Sequence, residues 1–305
     1  MLWILLAILA HVGNGLVFIV DKSILKSKTA IGNPIQYALY SAGFAGLSLA
    51  LIPWAHISLT SFLVTWAFVA GAIHICALYV FFTAMQKGEP SRVVPITGSA
   101  VPLFTVVFAL TFLGEQFTAK EGFGIALLIA GGMMLAIKGV SKKGSDFVLP
   151  IIAGVLFAAY FAVTKYVYDH VVGQFLGIFI VTRVIEALIA LAGIVVMTKG
   201  FAGIRMPKKK RVKNNHHRNI VTSLAFIFNK TLAAGAFLLQ TYAISLGSVS
   251  VVNALQGVQY VFVLVLAIIV SLFFPKLFQE EIGRGAVVQK IVGIGLVSWG
   301  IGLLV

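Results

Sequence analysis

Polar side chains set inside long apolar runs are the residues of this sequence most able to do chemistry. His11 and Asn14 stand three apart on one helical face of the first run, and Tyr160 and Thr164 stand four apart in the sixth. In the ninth run Asn253, Gln256, Gln259 and Tyr260 recur at spacings of three, three and one, a polar stripe. Amides both donate and accept hydrogen bonds, which suits a neutral or zwitterionic solute. The repeat counterparts of this stripe lie in the fourth run around Thr97 and Ser99, and His74 is a further candidate in the third. Asn229 and Lys230 share the eighth run with Gln240 and Tyr242. Lys230 is too deep for its side chain to reach the membrane surface, so it needs a water-filled cavity or an anionic partner. It either meets a solute carboxylate or phosphate, or pairs with Glu186. Glu186 is the one acidic residue deep in a run, and Arg183 precedes it by three positions on the same face. A guanidinium at that spacing holds a carboxylate in its charged form. The two residues therefore read as a structural ion pair, or alternatively as a proton-coupling site. For His11, Asn14 and His74 the alternative to touching a solute is a bond to a neighbouring helix.

The elements that must position these residues follow from composition. Of 305 residues, 60% are hydrophobic and 10% charged, with mean hydropathy +1.04. A soluble domain keeps roughly a quarter of its residues charged, so this is an all-α integral membrane protein. Ten apolar runs approach the roughly 20 residues that a bilayer crossing needs: 2–20, 35–55, 62–85, 92–113, 120–138, 148–168, 174–198, 220–245, 249–274 and 287–305. Helices are expected, because spanning strands alternate in segments of about ten residues and a bilayer core leaves no water for open backbone groups. The first run has no basic segment before it and no small-residue cleavage site, so it reads as a retained helix. The ten runs leave no room for a soluble catalytic or nucleotide-binding domain. Cys76, the single cysteine, lies in an apolar run without a partner for an intrachain disulfide.

Charge orients the bundle. Of the 23 Lys and Arg, all but Lys120, Lys165, Arg183 and Lys230 fall in the odd-numbered connections. Basic connections stay cytoplasmic and face anionic headgroups, which predicts a multi-pass protein of the plasma (inner) membrane with both termini outside. The net charge of +14 is thereby topogenic, with membrane lipid as partner and no nucleic acid expected. The run Lys208-Lys209-Lys210-Arg211 matches a nuclear-localisation pattern, but a solvated loop explains it as well. His216 and His217 lack the neighbours of a metal site.

An internal repeat organises the chain. Ala84 to Gly98 aligns with Ala243 to Gly257, and Gly124 to Leu135 (GIALLIAGGMML) aligns with Gly293 to Leu304 (GIGLVSWGIGLL). Tyr40 falls on Arg183. The second copy carries extra residues between Phe274 and Val287. Two five-helix domains are expected, 1–140 and 141–305. Five is odd, so the second half enters the membrane from the opposite side and the copies form inverted repeats, the architecture of alternating access.

Two five-helix repeats, the segment Leu113-Gly114-Glu115-Gln116-Phe117-Thr118 after the fourth helix and the glycine-bearing fifth helix resemble EamA-type members of the drug/metabolite transporter superfamily. The likeness runs over essentially the whole chain, although Phe274-Pro275-Lys276 stands where the second half should carry its Gly-Glu pair, and termini outside depart from the usual orientation. The resemblance implies a central cavity between helices one, three, four, six, eight and nine, with five and ten at the periphery. Substrates of such relatives include amino acids, nucleobase-related metabolites, sugars and drugs, so the resemblance names no substrate. The expected function is secondary transport of a small polar metabolite, amino-acid-like or related, by alternating access. No enzyme motif, cofactor site or metal set is recognisable in the sequence. A non-transporting assembly or sensory subunit and a flippase for a lipid-linked substrate are the alternatives, and homodimerisation stays open.

Overall fold

The computed structural model describes residues 2–26, 34–87, 90–136, 147–171, 174–201, 216–273 and 284–304. The basic stretches at 138–143 and 205–213, and most of the extra stretch after Phe273, lie outside the described residues. Every regular element among the described residues is helical. In order they are α1 (Leu2–Lys26), α2 (Pro34–Gly43) continued by a 3₁₀ segment (Phe44–Trp54), α3 (Ser61–Lys87), α4 (Pro90–Phe108) continued by a π turn (Ala109–Leu113), α5 (Ala119–Ala136), α6 (Val148–His170), α7 (Phe175–Phe201), α8 (His216–Leu246), α9 (Val249–Ala254), α10 (Gln256–Phe273) and α11 (Arg284–Leu304). Five of these segments are long and apolar enough to cross a membrane, and α1, α9–α10 and α11 contain shorter apolar stretches. The chain is a multi-pass membrane protein.

Two spans depart from the uniform helices expected. The second turns 3₁₀ from Phe44, with Pro53 inside that segment; proline has no N–H to continue a ladder. The ninth is interrupted at Leu255, where the Val258 N–H bonds back to the Leu255 carbonyl at 2.9 Å.

Solvent preference is reversed relative to a water-soluble domain. Leu5, Leu9, Phe112, Leu188, Val196, Phe228 and Ile291 point outward, whereas His11, Thr105, Glu186, Asn229 and Asn253 are buried. Lipid is as apolar as leucine, so outward leucines cost nothing, and polar groups turn inward to find partners.

Helix α1 packs along α8, and α3 packs along α6; α4 lies against α6, and α1 against α10. Helices α2 and α7 pack together, as do α5 and α11. Small residues set the closest approaches. A Cβ at Gly131 would stand 2.8 Å from the Gly293 carbonyl, and one at Gly300 would stand 2.9 Å from the Gly124 carbonyl. Low numbers on α5 meet high numbers on α11, so the two helices run antiparallel. Helices α2 and α7 do likewise, with Leu39 beside Gly193 and Gly46 beside Ala187.

The glycine seam makes a sharp prediction. Gly131→Leu drives a side chain into backbone and should destabilise the protein by about 1–3 kcal/mol, read as a lowered Tm in detergent. Gly302→Leu, at a position where a Cβ meets nothing within 4 Å, should leave Tm unchanged.

Candidate functional site

Three ionisable residues of the interior, His74, Arg183 and Glu186, converge on one point between α3, α6, α7 and α8. Glu186 is 1% exposed, and both of its carboxylate oxygens are engaged. Arg183 Nη1 donates to Oε2 at 2.5 Å, and His74 Nδ1 lies 2.7 Å from Oε1. An ionised carboxylate only accepts, so His74 carries a proton on Nδ1 and donates it. The approach of α3 to α7 is set one turn earlier, where a Cβ at Gly71 would lie 3.1 Å from Glu186 Cα. The imidazole stacks on Tyr160 at 4.5 Å between ring centroids, with Phe157 and Phe237 at about 6 Å. Arg183 lies over the Phe237 ring at 4.5 Å. The cluster is a carboxylate clamped by a guanidinium and an imidazole, enclosed by aromatic faces.

The structure thus joins Arg183 and Glu186 to His74 and gives Glu186 a different second partner from the one considered in the sequence. Lys230 does not pair with Glu186; its ammonium is 5.5 Å from the Tyr37 ring centroid. At i, i+3 from Arg183, Glu186 is within reach of the guanidinium on its own helix, and His74 on α3 takes the remaining oxygen.

A second polar system crosses the bundle. Asn14 Nδ2 donates to Gln240 Oε1 at 3.2 Å, Gln240 Nε2 to Asn253 Oδ1 at 3.2 Å, Asn253 Nδ2 to Thr105 Oγ1 at 3.1 Å, and the Thr105 hydroxyl to the Val101 carbonyl at 2.8 Å. The chain links α1, α8, α9 and α4. Nearby, His11 Nε2 bonds the Val252 carbonyl at 2.8 Å. Here His11, Asn14 and Asn253 bond neighbouring helices.

The remaining candidates are distributed along the same interior. The Thr97 hydroxyl bonds the Pro150 carbonyl of α6 at 3.1 Å, and the Thr164 hydroxyl bonds the Tyr160 carbonyl within its own helix. Asn229 is fully buried, and Gln259 is 9% exposed. The Tyr260 hydroxyl packs directly on Gly98, where Gln256 Nε2 also approaches to 3.1 Å of a built Cβ. That buried hydroxyl, with those of Ser99, Tyr168 and Ser250, has no hydrogen-bond partner among the described residues. Among the described residues no group of three metal-ligating side chains forms.

The segment after α4 has a structural logic that its sequence alone conceals. Gly114 adopts φ +66° and ends the π turn, a conformation glycine takes without a Cβ penalty. Glu115 then reaches across to α9, accepting from the Ser248 hydroxyl at 2.9 Å and from the Val249 N–H at 3.0 Å. A carboxylate on orphan N–H groups at a helix start is favourable. Thr118 and Glu121 form a reciprocal capping box at the start of α5, the Thr118 N–H donating to Glu121 Oε2 at 2.9 Å and the Glu121 N–H to Thr118 Oγ1 at 3.2 Å. A cavity of about 310 Å³ opens beside this junction, lined by Trp3, Glu115, Glu121, Lys165, Ser248 and others. It lies at the end of the bundle where α1 begins and α11 ends.

Several contributors escaped the residue pattern. Thr105 and Glu115 carry no special spacing, and Phe157 and Phe237 are indistinguishable in sequence from lipid-facing aromatics. The usable signal for Glu115 was the segment Leu113 to Thr118, which carries the resemblance.

Comparison with known proteins bears on identity. A stretch of 75 residues is 32% identical to an uncharacterized protein of Methanocaldococcus jannaschii, covering 25% of this chain and 54% of that one. Another 75-residue match, 29% identical, is to an uncharacterized transporter of a Sinorhizobium species, covering 24% and 52%. The matched stretch spans about half of each relative, and each relative is a little under half as long as this chain. A solved crystal structure superposes with a TM-score of 0.62 at 15% identity, covering 98% of this chain and 96% of that one; the likeness establishes the overall fold. Residues 1–137 match the model of the EamA-like transporter family. Over those residues, which hold α1 to α5, the chain is similar to the EamA-like transporter family.

Proposed function

We propose that the protein is a secondary transporter of a small polar metabolite, amino-acid-like in chemistry, that works by alternating access of two inverted five-helix halves, 1–140 and 141–305. The observation that carries this reading is the pairing of repeat-equivalent helices. Gly124 corresponds to Gly293 and Gly131 to Gly300 in the repeat; the contacts run from Gly124 to Gly300 and from Gly131 to Gly293. Exchanging the halves returns the same pair of contacts, which is the signature of a two-fold axis. The antiparallel run of these two helices supports an axis in the membrane plane, and α2 and α7 also run antiparallel. The half-length relatives agree with an ancestral unit of this size.

The interior supplies the chemistry for a polar solute. Asn14, Gln240 and Asn253 sit where α1, α8 and the broken ninth span meet; interrupted helices beside a cavity are where transporters hold substrate. Amides already bonded to each other bind a solute by exchanging partners, at little net cost because one hydrogen bond replaces another. The same bonds favour the second reading, a non-transporting assembly subunit in which the amides serve only to hold helices together. The charge bias of the connections supports a plasma (inner) membrane protein with both termini outside.

Two outcomes are expected. In proteoliposomes, counterflow of an amino acid chosen by a melting-temperature screen of individual amino acids should fall about three- to tenfold in Asn14→Ala, Gln256→Ala and Lys230→Ala, the equivalent of one lost hydrogen bond; full activity in all three variants would remove these residues from the solute site. A reporter fused after Val305 should be active only when it functions outside the cytoplasm, and cytoplasmic activity would reverse the assigned orientation.

A further inference from the structure

The cavity of about 310 Å³ beside the junction of α4 and α5 has no part in the transport reading, for none of the relay amides lines it. Its size is that of a small-molecule site, which spans roughly 300–1,000 Å³. Separate parts of the chain build it: the start of α1, the connection from α4 into α5, the later part of α6, the turn from α8 into α9 and the end of α11. It sits on the side of the fourth and eighth connections, which are poor in basic residues.

Part of the lining is apolar and aromatic, with Trp3 and Phe117 beside Val251 and Leu304. Gly247 lets the indole lie where it does, because a Cβ there would stand 2.4 Å from the Trp3 ring. Part of the lining is anionic, and the described groups bonded to its two carboxylates are neutral. Glu115 accepts from the Ser248 hydroxyl and the Val249 N–H, and Glu121 Oε2 accepts from the N–H and the hydroxyl of Thr118. Glu121 Oε1 accepts from no described residue. Neutral donors orient a carboxylate without cancelling its charge.

Lys165 is the cation in this lining, and Asp169, one turn further along α6, holds its ammonium at 2.9 Å. Lys120, next to Glu121 in sequence, is exposed and does not line the cavity. Two carboxylates therefore share the space with one ammonium that is already paired. Negative charge beside an indole is what an organic ammonium needs. The carboxylates take its N–H groups in charge-assisted hydrogen bonds, and the aromatic faces attract the cation while covering its hydrocarbon part. An anion would meet two carboxylates and a lysine already taken.

We propose that this cavity is a binding site for a primary ammonium carried on an apolar group, with Glu121 and Glu115 as its acceptors and Trp3 as its aromatic face. Lys165 opposes the bound cation, and Asp169 moderates that opposition. The site is separate from the amide relay; it goes beyond the transport reading and does not need it.

Benzylamine, benzyl alcohol and benzoate share one ring and differ in charge, which makes them the probes. With the full chain in detergent at neutral pH, benzylamine should bind saturably in calorimetry and raise Tm, and benzoate should do neither. Equal stabilisation by benzyl alcohol would overturn ammonium recognition, as would tighter binding of benzoate. Glu121→Gln keeps the capping box, since glutamine serves at that position as glutamate does. Its Tm without ligand should match wild type while its affinity for benzylamine falls about tenfold. Trp3→Leu should weaken benzylamine binding about three- to tenfold. Lys165→Gln should act in the opposite direction and tighten it about two- to fivefold, a gain that damage to the fold does not produce. Unchanged affinity in Glu121→Gln, or weaker binding in Lys165→Gln, would overturn the assignment. These readouts measure binding and not transport, so absence of benzylamine binding would reject the site and leave the transport reading standing.

Discussion

A hydrocarbon surround with no water to spare is the constraint on which this structure depends. It reverses the usual placement of side chains, so leucine, valine and phenylalanine face outward, and histidine, asparagine and glutamate face inward. Every inward polar group must then find a partner within the bundle. Glu186 has two partners, and Asn253 stands in a relay that ends on a backbone carbonyl. The few hydroxyls without a partner, such as that of Tyr260, lie in the same interior. Such orphans are rare in proteins.

Helices before and after residue 140 meet in three different ways. At the α5–α11 seam the contact is backbone against backbone, with glycine carbonyls at distances that exclude a side chain. Through the centre it is the amide relay, whose bonds are individually weak and exchangeable. At the end near Trp3 it is Glu115 on the first turn of α9.

Much of this was legible in the sequence. The apolar runs fall on helices, five of them long and apolar enough to cross a membrane, and the glycines of the fifth and last runs lie where α5 and α11 touch. The inward polar residues were identifiable because lipid penalises the alternative. Their partners were not. Nothing in the spacing of His74 and Glu186, 112 positions apart, announces that they touch, and Lys230 was an equally plausible cation until Gly71 was seen to bring α3 onto α7. The break at Leu255 was hidden as well, since it carries neither glycine nor proline at the break itself. Tertiary pairing decides such details, and one chain read alone does not encode it locally.

The bond from Glu115 to the start of α9 bears on how the molecule is built. Ribosomes make the chain from its N-terminus, and domains generally fold in that order. Glu115 is synthesised long before Val249, so the carboxylate that caps α9 already waits in the bilayer when that turn emerges. A late-arriving turn is thereby positioned by a charge from a much earlier part of the chain.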